Sequence, residues 1–559
     1  MKRTTTSWLL AGLTVLALPA GAIRADDPAG AVFPRPGEVF FREPDEGSRQ
    51  RIKDLMAQST SDAPRTRGRA RADLVALGYW AVEPLIVAAR DRDPAARCAS
   101  ILTLDAIGDA RAVEPLREIV LREDSNPYIG AFAALALGRF RDVGVLRDPK
   151  DPFRESLDNP HSLDLLRAAI PFALARMRSE SALGLKLLRE QLADGGAVEP
   201  VTAARLLALG FFPDAAVVQS GDRPAPPLEA AMRSNRQGER QAALLAFLVA
   251  NARTTKGKDY VAKVAETDTS PRVQAVALIG LAAFAGADVT ERIAATMTGS
   301  GPDSVVRELA CDLLVERADA AALPALLHVT RTQQTTRLRA SAVLALGRLA
   351  GADAHRAVIG ALSDKSPLVR SAASVAAARS SSADLRADAL ARIDARLQGG
   401  ETDADAREVL RTARAVLAGE RREVAWREVG TDPLFASVLQ TPRQRLIRAV
   451  NRRVELSLDL GKITDVPTEQ GVSPDDLSGG AVSIDAHEAQ LEGIQGPGDT
   501  SPPPSTLPAP TGSIGTMGSS RTSAWPELRD LRDELRRRPY FTLDDLPAPP
   551  AAVTAPAVK

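Results

Sequence analysis

A leucine or isoleucine followed by glycine recurs along this chain at a nearly fixed interval. The first copies are Leu77-Gly78, Ile107-Gly108 and Leu137-Gly138, whose glycines lie 30 residues apart. The pair returns after gaps of 72, 70 and 67 residues, at 209–210, 279–280 and 346–347. Each later gap is about two repeat lengths. Self-similarity at a period of about 20 to 50 residues is typical of a repeat array, so we predict a solenoid.

The sequence of one repeat predicts two helices joined by a tight turn. Apolar residues recur every three or four positions over 81–90, a polar stretch with Asp93-Pro94 interrupts them, and helical spacing resumes up to Gly108. Proline suits the first turn of the second helix, and glycine suits a left-handed residue that ends it. We expect about ten or eleven stacked helix pairs over residues 50–420.

In tandem, these units resemble the HEAT repeat family, in particular the short HEAT-like repeats of phycobilin lyase-type proteins. The resemblance implies an all-α, right-handed α-solenoid of antiparallel helix pairs that serves as a protein-binding scaffold. It also implies a structural ladder between layers, formed by an aspartate before each turn and an arginine six residues later. The residues that fit this spacing are Asp91 with Arg97 and Asp364 with Arg370.

Charge balance and residue spacing argue against several function classes. Lys+Arg and Asp+Glu number 71 each, so no general attraction for nucleic acid is expected. The four histidines lack metal-binding spacing, and no phosphate-binding loop is recognisable. Cys98 and Cys311 lie in separate repeats, which predicts buried free thiols. We therefore expect no catalytic, cofactor or metal site, and a protein that is not an enzyme.

Residues 1–25 have the pattern of a cleavable export signal. Lys2-Arg3 precedes an apolar run at 8–18, and small residues follow up to Ala25. The run is shorter than the roughly 20 residues that a membrane-spanning helix needs. We expect a periplasmic or extracellular protein with no transmembrane segment after cleavage, and an extended segment over 26–49. An uncleaved signal that anchors the chain is the alternative.

The residues after the repeats fall into segments of different composition. Within 421–462, a basic helix begins at Thr441-Pro442 and has apolar residues over 446–454. We expect it to cap the end of the array, and the alternative is that it lies on an anionic surface. Residues 463–520 are rich in glycine, serine, proline and acid, which predicts a disordered linker, and 547–559 is a disordered tail.

Residues 521–546 are predicted to form a short amphipathic helix with an aromatic pair behind it, which is typical of a docking segment. Aromatic anchors often dominate binding energy. The candidate docking residues are Trp525, Leu528, Leu531, Leu535, Tyr540 and Phe541. Three interpretations of this segment stay open. It docks in cis on the chain's own groove, it docks on another protein, or it is a tail without a role.

The sequence thus predicts a non-catalytic protein–protein interaction scaffold of the cell envelope. Its partner proteins, whose identity the sequence does not indicate, would bind the concave surface of the stacked second helices. The alternative is a peripheral envelope component held by the basic helix or by an uncleaved signal. A bilin lyase-like enzyme is a minor alternative that rests on fold analogy alone.

Overall fold

A computed structural model describes residues 44–458 and 526–546 of the chain. Within the first range it leaves out 62, 122–126, 141–151, 159–163, 178–180, 194–196, 213–217, 252–256, 333 and most of 423–439. The predicted signal, the linker over 463–520, the tail and Trp525 lie outside the described residues. The chain divides into two units, Met1–Gln50 and Arg51–Lys559. Residues 44–50 are the described part of the first unit, and all other described residues belong to the second.

The described chain is a succession of helices that alternate between first and second members of a pair. The first helices are α1 Glu46–Gln58, α3 Tyr79–Ala88, α5 Val113–Leu121, α7 Pro152–Asp158, α9 Ser181–Ala193, α11 Pro226–Ala231, α13 Lys258–Thr267, α15 Ala287–Thr298, α17 Leu323–Arg331, α19 Ala352–Ala361 and α21 Ala383–Gln398. The second helices are α2 Pro64–Leu77, α4 Pro94–Ile107, α6 Pro127–Phe140, α8 Asp164–Arg176, α10 Glu199–Leu209, α12 Gln237–Asn251, α14 Pro271–Leu281, α16 Ser304–Arg317, α18 Thr336–Leu346, α20 Pro367–Arg379 and α22 Ala404–Leu417.

Shorter elements and two later helices complete the fold. Turns of 3-10 helix, Ala110–Ala112 and Ala320–Ala322, precede α5 and α17. Strands β1 Gln219–Ser220 and β2 Arg223–Pro224 form an antiparallel hairpin before α11. The later helices are α23 Pro442–Ser457 and α24 Pro526–Arg537.

The second helices stack on one another from α2 to α22, and we call this continuous stack the second-helix row. Each second helix from α4 to α22 packs against the first helix that precedes it and against the neighbouring second helices. The prediction of an all-α solenoid of stacked helix pairs is therefore confirmed. Each pair buries little alone, and the core becomes continuous only through stacking.

The turn chemistry follows the sequence prediction. At the start of α4, the Asp93 carboxylate accepts hydrogen bonds from the backbone N–H groups of Ala95 and Ala96 at 3.1 and 3.3 Å. Pro94 occupies the first helical position, where a missing N–H breaks no helical bond. Cys98 and Cys311 are buried thiols that form no disulfide with each other, as predicted. Over the described ranges, no helix is long and apolar enough to cross a bilayer.

The stretch between α6 and α8 contains a short helix, although its Asp-Pro and Asn-Pro pairs are typical of a loop. Residues 152–158 form α7, which packs against α5 and α8. Phe153 and Leu157 lie one helical turn apart and are almost fully buried. The prolines of this stretch suggested a loop, but Pro152 begins the helix, where proline is tolerated. Burial of the two apolar side chains against neighbouring helices outweighs the loop signals.

The role predicted for the glycine of the repeated pair is correct at two copies and wrong at the others. Gly78 and Gly108 have the positive φ angles, 55° and 75°, that glycine adopts readily. The remaining copies have no positive φ. These are Gly138, Gly210, Gly280 and Gly347. Their glycines therefore serve another purpose.

That purpose is close helix packing along the second-helix row. A Cβ atom at Gly210 would lie 2.6 Å from the Cα of Ala246 in α12, which is shorter than any normal contact. A Cβ at Gly347 would lie 2.6 Å from the Cβ of Ala376 in α20. Glycine and alanine at these crossings let neighbouring backbones touch. The repeated pair thus marks where layers meet.

We expect Gly210→Ala to lower the free energy of unfolding by about 1 to 3 kcal/mol, because the added methyl overpacks a contact between two backbones. Gly360→Ala is the matched control, since this exposed residue of α19 has no atom within 4 Å of its would-be Cβ. The control should be neutral or stabilising by up to about 1 kcal/mol. Urea unfolding followed by circular dichroism measures both, and equal stability of the two variants would contradict the packing role.

Candidate protein-binding groove

The basic helix α23 lies on the second-helix row. It packs against α8, α10, α12 and α14. Its apolar side chains are buried there: Leu446, Ile447, Val450 and Val454. The prediction that this segment caps the end of the array is therefore wrong, because its apolar stripe covers apolar surface in the middle of the row. The anionic-surface alternative is wrong for the same reason, since the face needed for membrane contact is occupied.

The arginines of α23 are partly buried with it. Arg445 and Arg453 are each less than a tenth exposed. Loss of hydration lowers the pKa of both guanidinium groups, that of Arg453 to about 10, although Glu199 of α10 opposes the shift. Arg453 therefore remains charged at neutral pH. A buried charge that is solvated by specific neighbours fixes the position of α23 on the row.

The C-terminal segment, residues 526–546, lies on the same row in cis. Its helix α24 packs against α4 and α6. The carboxylate of Asp530 accepts two hydrogen bonds from Arg67 of α2, both at 2.9 Å, and lies 3.8 Å from Arg71. Leu531 and Leu535 are buried on the same side of the helix. A bidentate ion pair and an apolar stripe therefore hold α24 in place.

An aromatic corner follows α24 and is the most buried part of the C-terminal segment. The ring of Phe541 stacks on Phe211 with centroids 3.9 Å apart, and it meets the edge of Phe172 at 6.3 Å. The Tyr540 hydroxyl donates to the carbonyl oxygen of Leu135 at 3.2 Å. Burial raises the pKa of this hydroxyl, so it stays protonated and remains a donor.

Side chains of the row and of α23 bind the backbone around that corner. The Asn451 amide donates to the carbonyl oxygen of Phe541 at 2.8 Å, and its oxygen accepts from the Phe541 N–H at 2.9 Å. Arg139 donates to the carbonyl oxygen of Arg538 at 2.8 Å. Arg176 donates to the Tyr540 carbonyl oxygen and to Asp545. Hydrogen bonds from side chains to the backbone of a bound segment are typical of peptide recognition.

A buried acid supports the centre of the groove. Asp105 of α4 lies 3.1 Å from Arg139 and 3.7 Å from Arg538, and its carbonyl oxygen accepts from Arg538 at 3.1 Å. Burial raises the pKa of Asp105, and the two arginines act against that shift. The carboxylate therefore links α4 and α6 of the row to the C-terminal segment.

Four of the predicted docking residues, Leu531, Leu535, Tyr540 and Phe541, come together on one surface, and that surface belongs to the same chain. The side chain of Leu528 and all of Trp525 lie outside the described part. The sequence did not predict the residues that receive the segment. At two of these residues, Arg139 and Arg176, a local signal is an arginine in the last turn of a largely apolar second helix.

We expect Phe541→Ala to release the C-terminal segment. Loss of a buried phenylalanine destabilises by about 3 to 5 kcal/mol, so amide hydrogen exchange across 531–546 should accelerate about 100-fold or more. Leu543→Ala is the matched control, because Leu543 is 41% exposed in the same segment. Its exchange should match that of the wild type. Equal protection in the two variants would contradict the anchoring role of Phe541.

The predicted ladder connects successive turns, and two of its four proposed members lie on it. Asp364 accepts from Arg339 of the preceding layer at 3.3 Å. Arg370 donates to Glu401 of the next layer at 2.7 Å and to the carbonyl oxygen of Asp364 at 2.8 Å. A further rung joins Arg240 to Asp268 at 3.1 Å.

The bonds described for the other proposed pair stay within one turn. Asp91 accepts from the backbone N–H of Asp93 at 3.0 Å, and Arg97 donates to the carbonyl oxygen of Ala89 at 3.3 Å. Asp364 makes the same local bond to the N–H of Ser366 at 2.8 Å. The aspartate therefore shapes its own turn in both pairs, and the rung to the next layer is an addition.

Glu401 is the most strongly held acid of the ladder. Burial alone would raise the pKa of its carboxyl, but hydrogen bonds from Arg370, Arg396 and the Asp403 N–H lower it to about 2. The unfolded value is near 4.5. Because the pKa is depressed in the folded state, the stability that Glu401 contributes is present above pH 4.5 and is lost as the pH falls toward 2.

Glu401→Gln should lower the free energy of unfolding at pH 7, because it leaves the buried Arg370 without a charged partner. Between pH 4.5 and 2, the wild type should lose up to about 1.4 kcal/mol per pH unit more than the variant. Urea unfolding at several pH values tests this, with Glu408→Gln at an exposed position of α22 as the control. Parallel pH profiles of wild type and Glu401→Gln would exclude the proposed coupling.

Comparison with known proteins agrees with the stacked-helix geometry. The HEAT repeats family matches residues 52–138 and 259–347. The chain contains HEAT repeats. The first match runs from α1 into α6 and the second from α13 to the end of α18. The short helices α7 and α11 and the hairpin lie between the two matches. No curated protein matches the chain in sequence.

Several solved structures are similar to parts of these HEAT repeats. Human deoxyhypusine hydroxylase in complex with glycerol is 19% identical, over 54% of this chain and 96% of its own, with a TM-score of 0.21. The CpcE–CpcF complex of phycocyanin lyase from Nostoc sp. PCC7120 is 17% identical, over 54% and 97%, with a TM-score of 0.24. An engineered protein is 16% identical, over 66% and 99%, with a TM-score of 0.25. At such low values these likenesses carry no argument about function.

The described ranges also hold no cluster of three or more histidine, cysteine, aspartate or glutamate side chains placed to bind a metal ion. His355, which follows Asp353 by two residues in the sequence, lies 2.9 Å from Asp388 of α21. Its sequence neighbour Asp353 pairs with Arg356 instead. The histidine thus links two first helices on the surface.

Proposed function

We propose that this chain is a non-catalytic protein-binding scaffold whose second-helix row is the binding surface. The observation that carries the proposal is the manner in which the row holds residues 526–546. Arg67 forms a bidentate ion pair with the Asp530 carboxylate, and the aromatic corner packs on rings of the row. Asn451 binds both the N–H and the carbonyl oxygen of Phe541. These are the elements by which grooves bind peptides from other proteins.

The groove is built without the C-terminal segment. Successive second helices pack on one another directly, and α23 is seated on them by its own apolar stripe. A partner therefore meets a surface that is already formed, and little ordering opposes its binding. The C-terminal segment is then best understood as a resident occupant that a partner replaces.

The covalent connection allows that replacement. Residues 459–525 join α23 to α24, a stretch of 67 residues. Arg536, near the end of α24, lies 4.0 Å from Glu455 of α23, and ten residues, about 15 Å of helix, separate it from Pro526, where the connection enters α24. A chain of that length can span more than about 200 Å when extended. The segment can therefore leave the groove and remain attached, and its effective concentration at the groove is about millimolar.

We further propose that the scaffold works in the cell envelope, in the periplasm or outside the cell. The support is the signal-like pattern of residues 1–25. Attachment through the basic helix has lost its support, because the apolar face of α23 is buried. N-terminal sequencing of the protein from fractionated cells tests the location. Residues 1–25 still present on protein recovered from the cytoplasm would contradict it.

A labelled peptide tests whether the groove accepts an occupant in trans. The peptide spans residues 522–548, and the host is the full-length chain with Phe541→Ala, which vacates the groove. Fluorescence anisotropy should show saturable binding with a dissociation constant of about 1 to 100 μM, as expected for a segment that competes at millimolar effective concentration. Wild-type protein, whose groove is filled, should bind at least tenfold more weakly.

The two controls separate binding from folding. The Leu543→Ala host keeps its own segment in place and should behave as the wild type does. A melting temperature of the Phe541→Ala host close to that of the wild type would show that the row stands alone. Collapse of that host, with no peptide binding, would mean that the segment is a part of the fold and that the proposal is wrong.

A further inference from the structure

We infer that the groove selects segments of partner proteins by three chemical features in fixed order: a helical carboxylate, two leucines on the same helix face, and an aromatic pair behind a helix-ending proline. In this chain these features are Asp530, the leucines at 531 and 535, and Tyr540-Phe541 after Pro539. The inference rests on the proposed function, and it goes further by naming the partner's chemistry.

The carboxylate is required because two guanidinium groups converge on it. The side chains of Arg67 and Arg71 are 8% and 7% exposed, and both face Asp530. Among the described residues, the Nε and Nη1 atoms of Arg71 have no hydrogen-bond partner. An occupant with a neutral side chain here would remove the carboxylate that both buried guanidinium groups face, which is unfavourable. This end of the groove therefore rejects uncharged helices.

The aromatic pair is required because its pocket is shaped for rings. Gly138 has no side chain, and the Tyr540 hydroxyl lies too close to it for a Cβ to fit. The guanidinium carbons of Arg139 and Arg176 lie 5.4 and 5.3 Å from the centre of the Tyr540 ring, within range of cation–π attraction. An aliphatic side chain at this position would fill less space and lose that attraction.

Helix length sets the order of the features. Asp530 lies seven residues before the end of α24 at Arg537, which is about 10 Å of helix rise, and Tyr540 follows three residues after that end. Arg67 belongs to α2 and Arg176 to α8, so the two receiving ends lie three layers apart on the row. A segment with the same groups at a different spacing cannot reach both ends.

The occupant that fits is a segment of another protein and not a second copy of this chain. A second copy brings the same segment, but at cellular concentrations it competes with one that is tethered at about millimolar effective concentration. A partner with the same three features and better complementarity can displace the tethered segment. Symmetric exchange between copies gains no new contact.

A charge-swap experiment tests the carboxylate requirement. The host is again the full-length Phe541→Ala chain, and the probes are labelled 522–548 peptides. Asp530→Asn and Asp530→Arg in the peptide should weaken binding at least tenfold and 100-fold. Leu543→Ala in the peptide should change it less than twofold. A second host that also carries Arg67→Asp should prefer the Asp530→Arg peptide over the unchanged one.

Each outcome has one meaning. If all peptides bind equally well, the groove does not read the carboxylate and this inference is overturned, while the proposed function stands. If no peptide binds, the proposed function itself fails. Should the Arg67→Asp host unfold, the Asp530→Asn comparison on the first host still decides. Light scattering tests whether a second copy is the partner. If the wild type forms dimers at micromolar concentration and Phe541→Ala abolishes them, the choice of a different protein as partner is overturned.

Discussion

Direct backbone contact between successive second helices is the constraint on which the whole molecule depends. At Gly210 and Gly347 the neighbouring helix leaves no room for a side chain, so the layers are joined by many short contacts between small residues. Such packing gains dispersion energy without large side chains, which explains how a chain with 4% aromatic residues sustains a continuous core. The same closeness gives the row a smooth face on which other segments can lie.

Local sequence patterns predict most of the array because its determinants are local. The spacing of apolar residues and Asp93-Pro94 turns fall within one repeat, so helix pairs are recognisable without tertiary knowledge. The failures are of another kind. Helix α7 forms because Phe153 and Leu157 find room between α5 and α8, and α23 lies on the row because apolar surface was available there. The sequence of α7 or of α23 alone does not predict either position, because each depends on the neighbouring helices.

The candidate site divides in the same way. The docking side is predictable, since Leu531, Leu535 and the aromatic pair form an amphipathic pattern beyond a polar stretch. The receiving side is not, because it is assembled from single residues of different helices, such as Arg67 of α2 and Asn451 of α23. The ladder shows a milder case: its aspartates could be found from spacing, whereas Glu401 was missed because a glutamate takes the aspartate's place, two residues before the N-cap Asp403 and six before Arg407.

The ion pair between Arg67 and Asp530 joins residues 463 positions apart. Contacts of such separation form late, whereas each layer of repeats can close as soon as its helices exist. During synthesis the row is therefore complete before residues 526–546 are available to cover their site on it. Until residues 526–546 dock, this arginine-lined apolar surface is open to chaperones and to premature association. The protein's biogenesis thus has an interval of vulnerability that ends when this segment binds.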